Sequence, residues 1–114
     1  MKWKKLGQVF KVNNDNYFLV SHAANPLAVY LKDDIYRVYY SGRDIQNKSS
    51  VGYVDIDIIK LSVVGVCQDP LFTYGSRDSF YSHGISLGNV YQGLDNEAYI
   101  LFMAWKIEDE EHWR

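Results

Sequence analysis

Two Ser-His dipeptides, Ser21-His22 and Ser82-His83, stand 61 residues apart and open nearly the same phrase, SHAANPLAVY and SHGISLGNVY. An imidazole can take or give a proton, donate a hydrogen bond to a sugar hydroxyl or a phosphate, or ligate a metal. It can equally be architectural, its ring nitrogens satisfying backbone groups between repeated units. Adjacent strand residues point to opposite faces, so no Ser-His nucleophile is expected within either dipeptide. No third ligand stands at a sensible spacing from the two histidines, so neither a metal nor another cofactor is expected. Two Arg-Asp dipeptides, Arg43-Asp44 and Arg77-Asp78, complete the set. The planar guanidinium fork suits a substrate carboxylate or phosphate, and it suits equally an ion pair tying one unit to the next.

The elements that must hold these groups read as strands. The chain of 114 residues contains ten Tyr, five Phe and three Trp, a composition typical of β-rich domains. Tyr17-Phe18-Leu19-Val20 reads as a strand buried on both faces and leading into Ser21-His22. Leu27–Leu31, Ile35–Tyr40 and Val51–Ile58 follow, with the turn Lys32-Asp33-Asp34 marking a hairpin. The second half repeats the order from Phe80. Aligning Ser21 with Ser82 also aligns Val29 with Val90 and Tyr30 with Tyr91, and a two-residue insertion in the second turn brings Tyr36 onto Tyr99. A four-stranded antiparallel meander recurring every 61 to 63 residues is the pattern of a β-propeller blade. The fold class predicted is all-β, about two blades in one unit spanning residues 1–114. Repeat 1 covers about 15–60, and repeat 2, about 76–114, stops where its fourth strand should begin.

The placement of the candidates follows from that reading. His22 and His83 begin equivalent innermost strands and approach the ring axis. Counting strands puts Arg43-Asp44 on the opposite rim. Arg77-Asp78 lies 34 residues on, out of repeat register, in the loop before the second innermost strand and near the funnel mouth. Asp55 and Asp57 alternate with Ile56 and Ile58 as the wet face of an outer strand. Trp3, Trp105 and Trp113 could stack on sugar rings or pack between blades. Glu108-Asp109-Glu110-Glu111 reads as a solvated loop. Cys67 is the lone cysteine and is expected to be a buried, inert thiol.

A net charge of −2 leaves no electrostatic footprint for nucleic acid. The basic start MKWKKLGQVF lacks the apolar run of a signal peptide, and no segment approaches a membrane span. A soluble, cytoplasmic protein without nucleic-acid or membrane partners is expected.

MKWKKLGQVF, SHAANP, IYRVYYSGRD followed by NKSSVGYVDID, and DPLFTYGSRDSFYSHG together resemble the N-terminal part of the glycosidase-like five-bladed β-propellers. These are relatives of the arabinanase, xylosidase and mannoside phosphorylase clans. The resemblance covers nearly all of the chain and implies the first two of five blades. It further implies a carbohydrate ligand in a central funnel, where active members place inward carboxylates as general acid and base. Those places fall near Ser21-His22 and Tyr81-Ser82-His83, which carry no carboxylate. The function expected is therefore a carbohydrate-active or carbohydrate-binding protein whose 114 residues lack the full active site. Its candidate ligand groups are Ser21, His22, Arg43, Asp44, Arg77, Asp78, Ser82 and His83. The alternatives are a non-catalytic fragment that forms homo-oligomers through exposed blade faces, or a glycan-binding module.

Overall fold

A computed structural model describes residues 2–12 and 16–107. Six strands make up the chain: β1 (Ser21–Lys32), β2 (Ile35–Arg43), β3 (Ser49–Asp57), β4 (Ser62–Val66), β5 (Gly84–Gln92) and β6 (Ala98–Trp105). Strands β1 to β4 pair in sequence, each antiparallel to the next, as a four-stranded meander. Strands β5 and β6 form a second antiparallel hairpin, joined to the first unit by one parallel bridge, Ser49 to Gly84. The protein is thus all-β and open, one complete blade-like meander followed by two strands of the next. Among the described residues no helix is long and apolar enough to cross a membrane.

The repeated phrase is also a repeat of pairing. Tyr30 faces Tyr36 in the first hairpin, and Tyr91 faces Tyr99 in the second, with ring centroids 5.4 Å apart in both. The two-residue insertion falls in the second turn, where Asp95 accepts hydrogen bonds from the Glu97 amide (3.0 Å) and the Tyr99 hydroxyl (2.5 Å).

Four details differ from the sequence expectation. Residues 17–20 form a turn rather than a strand, because Asn16 folds the chain: its carbonyl accepts from Leu19 N–H and its Oδ1 from Phe18 N–H. The separate strand expected over Leu27–Leu31 is part of a twelve-residue β1. His22 and Asn25 adopt left-handed backbone (φ 65° and 51°), and their bulges let pairing with β2 continue. As an edge strand, β1 tolerates the missing N–H of Pro26. The fourth strand is β4, made possible by Asp57, whose Oδ1 accepts from the Ile59 and Lys60 amides and reverses the chain. Consequently β3 is paired on both sides, and Asp55 holds Arg37 in a two-point ion pair (2.9 and 3.1 Å) with the guanidinium over the Tyr53 ring. The second unit, finally, contributes two strands where three were expected.

The core lies on one face of the first unit. Leu19, Tyr40, Val54 and Cys67 are buried together, with Phe10, Val12 and Phe18 packed against them. Leu19 fits because β2 and β3 present glycines beneath it. A Cβ on Gly42 or Gly52 would come within 2.7 or 2.6 Å of its methyls. Cys67 is a free, buried thiol that accepts a weak hydrogen bond from Tyr53 N–H (3.3 Å).

After Cys67 the chain crosses β3 where β4 leaves it uncovered, with Leu71 N–H donating to Val51 C=O (2.7 Å) and Val51 N–H to Phe72 C=O (2.8 Å). That crossing delivers residues 76–83 to the rim where β1 begins and β2 ends.

Candidate ligand cleft

The rim holds a polar cleft of about 640 Å³, lined by Gln46, Lys48, Arg77, Asp78, Ser82, His83, Lys106 and Ile107. Four of these, Arg77, Asp78, Ser82 and His83, were candidates from the sequence. Arg77 and Asp78 sit in a tight turn closed by Ser79, whose N–H and hydroxyl both bond the Ser76 carbonyl (3.0 and 2.7 Å). His83 is clamped through its backbone. Its carbonyl accepts from Ser49 N–H (3.1 Å), and its own N–H donates to the Trp105 carbonyl (3.2 Å).

Against the strand-alternation expectation, serine and histidine meet within each dipeptide. Ser21 Oγ lies 2.8 Å from His22 Nδ1, and Ser82 Oγ lies 3.0 Å from His83 Nδ1. The reason is local: His22 is left-handed and His83 lies in the bend before β5, so neither dipeptide is extended. At His83 the contact is part of a fixed arrangement. Ile107 N–H donates to the same Nδ1 (3.1 Å). An amide can only donate, so Nδ1 accepts, the ring proton of the neutral imidazole sits on Nε2, and Ser82 donates. Ser82 is almost fully buried (2% exposed) and orients the ring rather than facing a substrate as a nucleophile.

Arg43 and Asp44 do not pair with each other. Arg43 bonds Asn47 Oδ1 (3.1 Å), while Asp44 is buried and accepts from the Gln46 and Lys48 amides and the Tyr74 hydroxyl (2.9, 3.0 and 2.6 Å). Burial, and next the bond to Asp44, hold the Tyr74 phenol well above its ordinary range. Asp44 thereby fixes the loop that carries Gln46 and Lys48, and Lys48 Nζ rests 5.1 Å from the Tyr74 ring centre. This loop lies on the rim where β1 begins, since Ser21 pairs directly with Arg43. The opposite-rim placement fails because Ser21–Lys32 is one strand where two had been counted.

Ser21, His22, Arg43 and Asp44 stay outside the cleft lining, whereas Gln46, Lys48 and Lys106 enter it unforeseen. Lys106 had a signal, because the 63-residue offset of the second hairpin carries Arg43 onto it. Trp3 is exposed, and Trp105 packs over Gly84. Trp113 and the acidic run from Glu108 lie outside the described residues. No group of three potential metal-ligating side chains occurs among the described residues.

The two inner strands converge beside the cleft. Asn25 Nδ2 donates to Ser86 Oγ (3.1 Å), and these residues are 61 apart, so equivalent positions of the two repeats touch. Fold and site together define an all-β, partial propeller-like protein with a cation-lined cleft at the meeting of its inner strands. Two uncharacterised proteins of Mycobacterium tuberculosis, MT1551 of strain CDC 1551 / Oshkosh and Rv1502 of strain H37Rv, are each 31% identical to it over 115 residues. The match covers the whole chain but 38% of the length of those relatives. No protein-family model and no solved structure matches the chain.

Proposed function

We propose that the chain is the N-terminal part of a glycosidase-like β-propeller that binds carbohydrate at the rim cleft. The observation that carries this reading is the Asn25–Ser86 contact, in which equivalent inner-strand residues meet as they do around a propeller axis. The length relation agrees: two units of five would be about 40% of a ring, close to the 38% of the relatives that this chain spans. Hydrolysis needs two carboxylates flanking the bond. Among the described lining residues the cleft offers one, Asp78, because Asp44 is buried under its loop. The chain alone is therefore a binding unit. Titration of the ¹⁵N-labelled chain with a panel of mono- and oligosaccharides tests this. Shifts should gather at Lys48, Ser82 and His83, and a panel that leaves those amides unmoved sinks the reading.

A second reading, self-assembly, rests on β6. Its sequence AYILFMAW has no charge, and Leu101, Phe102 and Met103 are half exposed along an unpaired edge. A groove of about 620 Å³ beside it is lined by Leu71, Phe72, Ile85, Leu87 and Phe102. Antiparallel pairing of β6 with β6 of a second copy would give β5–β6–β6–β5, the four strands that the first unit already has. Sedimentation should then show a dimer that Leu101→Lys dissolves. A monomer at every concentration rules this assembly out.

A further inference from the structure

We propose that the ligand of the cleft is an anionic sugar, one carrying a carboxylate or a phosphate. This rests on the carbohydrate reading above and adds the ligand's charge. Three cations, Lys48, Arg77 and Lys106, line the cleft against one carboxylate, Asp78, although the chain as a whole carries −2. The imbalance is local, and the fold maintains it.

Each positive group is placed by a different element. Lys48 ends a loop whose amides are held by Asp44, and its ammonium lies over the Tyr74 ring. Arg77 sits in the turn closed by Ser76 and Ser79, and Lys106 directly follows β6. His83 joins them as a donor, because Ile107 N–H occupies Nδ1 and leaves the proton on Nε2. Ser82 spends its hydroxyl hydrogen on the same Nδ1. The carboxylate of Asp44 does not offset this charge within the cleft, since its oxygens are bonded to the Gln46 and Lys48 amides and to Tyr74.

The result is a cleft rich in donors and poor in acceptors. A neutral sugar presents hydroxyls that both donate and accept, and half of that capacity would go unmet here. A carboxylate or phosphate only accepts, and it pairs with ammonium and guanidinium groups in short, charge-assisted bonds. Asp78 is left to accept from the ring hydroxyls of the same ligand. That division, cations for the charged group and one carboxylate for the hydroxyls, distinguishes an acidic sugar from a bare anion.

The test is a titration of the full chain, followed by amide shifts, with glucuronate, glucose 6-phosphate, glucose, acetate and inorganic phosphate. Glucuronate or glucose 6-phosphate should bind about ten-fold more tightly than glucose, one charge-assisted contact being sufficient for that ratio. The preference should shrink as salt rises from 20 to 150 mM, and whichever of the two binds better names the charged group. Arg77→Gln and Lys48→Met should each remove most of the preference. Lys60→Met, which deletes one charge in the β3–β4 turn, should leave it intact. Glucose binding as well as glucuronate overturns the anionic assignment while the carbohydrate reading stands. Acetate and phosphate binding as well as the acidic sugars overturn the carbohydrate reading. No binding by any probe overturns both.

Discussion

Removing the carboxylate of Asp44 should damage this protein more than any other single polar change. The side chain is 3% exposed and accepts three hydrogen bonds, from the Gln46 and Lys48 amides and the Tyr74 hydroxyl. Asp44→Ala leaves two amides and a phenol without an acceptor, at about 1–3 kcal/mol each. The expected loss is roughly 4–6 kcal/mol, a large part of the 5–15 kcal/mol that holds a typical domain folded. Asp44→Asn keeps an oxygen for the amides and should lose only about 1–2 kcal/mol. Tyr74→Phe removes one bond to a charged group and should lose about 1.5–3 kcal/mol. Urea unfolding followed by circular dichroism measures all three, and combining Asp44→Asn with Tyr74→Phe should give a non-additive cycle. If Asp44→Ala fails to fold, the other two variants carry the comparison. Asp44→Ala within about 0.5 kcal/mol of the parent, the range of ordinary surface changes, would refute the assignment of Asp44 as the loop's anchor. So would a neutral Tyr74→Phe.

Alkali should unfold the chain through its tyrosines. Burial, with a smaller contribution from Cys67, pushes Tyr40 up to about 12 from 10.0, and Tyr74 is raised as well. The folded chain holds these protons more tightly than the unfolded one. Their stabilisation is therefore complete below pH 10 and lost as pH climbs toward 12, by about 2–3 kcal/mol for Tyr40. Tyr40→Phe should flatten that decline in denaturant midpoints taken across the window, and an unchanged slope would count against it. Gly84→Ala should loosen the joint between the two units, because the new methyl overlaps the Trp105 indole beside the Ser49–Gly84 bridge. The expected loss is about 2–3 kcal/mol with a change in tryptophan emission, whereas a melting midpoint within about 1 °C of the parent refutes the close approach.

The repeat was legible in the sequence because paired tyrosines recur at matching turn offsets, and that pairing alone implies two equivalent hairpins. The continuity of β1 was not legible. His22 and Asn25 break local alternation, and their left-handed backbone becomes meaningful only once β2 lies alongside. Strand β4 was hidden because Ile58 to Val66 reads as one apolar stretch, and the reversal depends on a single carboxylate, Asp57. Half of the cleft's candidates came from motif reading. Gln46 and Lys48 did not, since a polar loop looks alike whether it is free or pinned from below by Asp44. Lys106 could have been inferred by carrying Arg43 through the repeat.

The doubled Ser-His phrase gives the molecule its own reference compound. Both imidazoles meet a serine hydroxyl through Nδ1, but only His83 also receives a backbone amide there. In neutral rings, the nitrogen resonances of His83 should report a single tautomer, while those of His22 are free to average between two. Subtracting one histidine from the other isolates the influence of one amide hydrogen on an imidazole, within one chain and one solvent. A ligand entering the cleft should disturb the His83 signal and leave His22 as the standard against which the change is read.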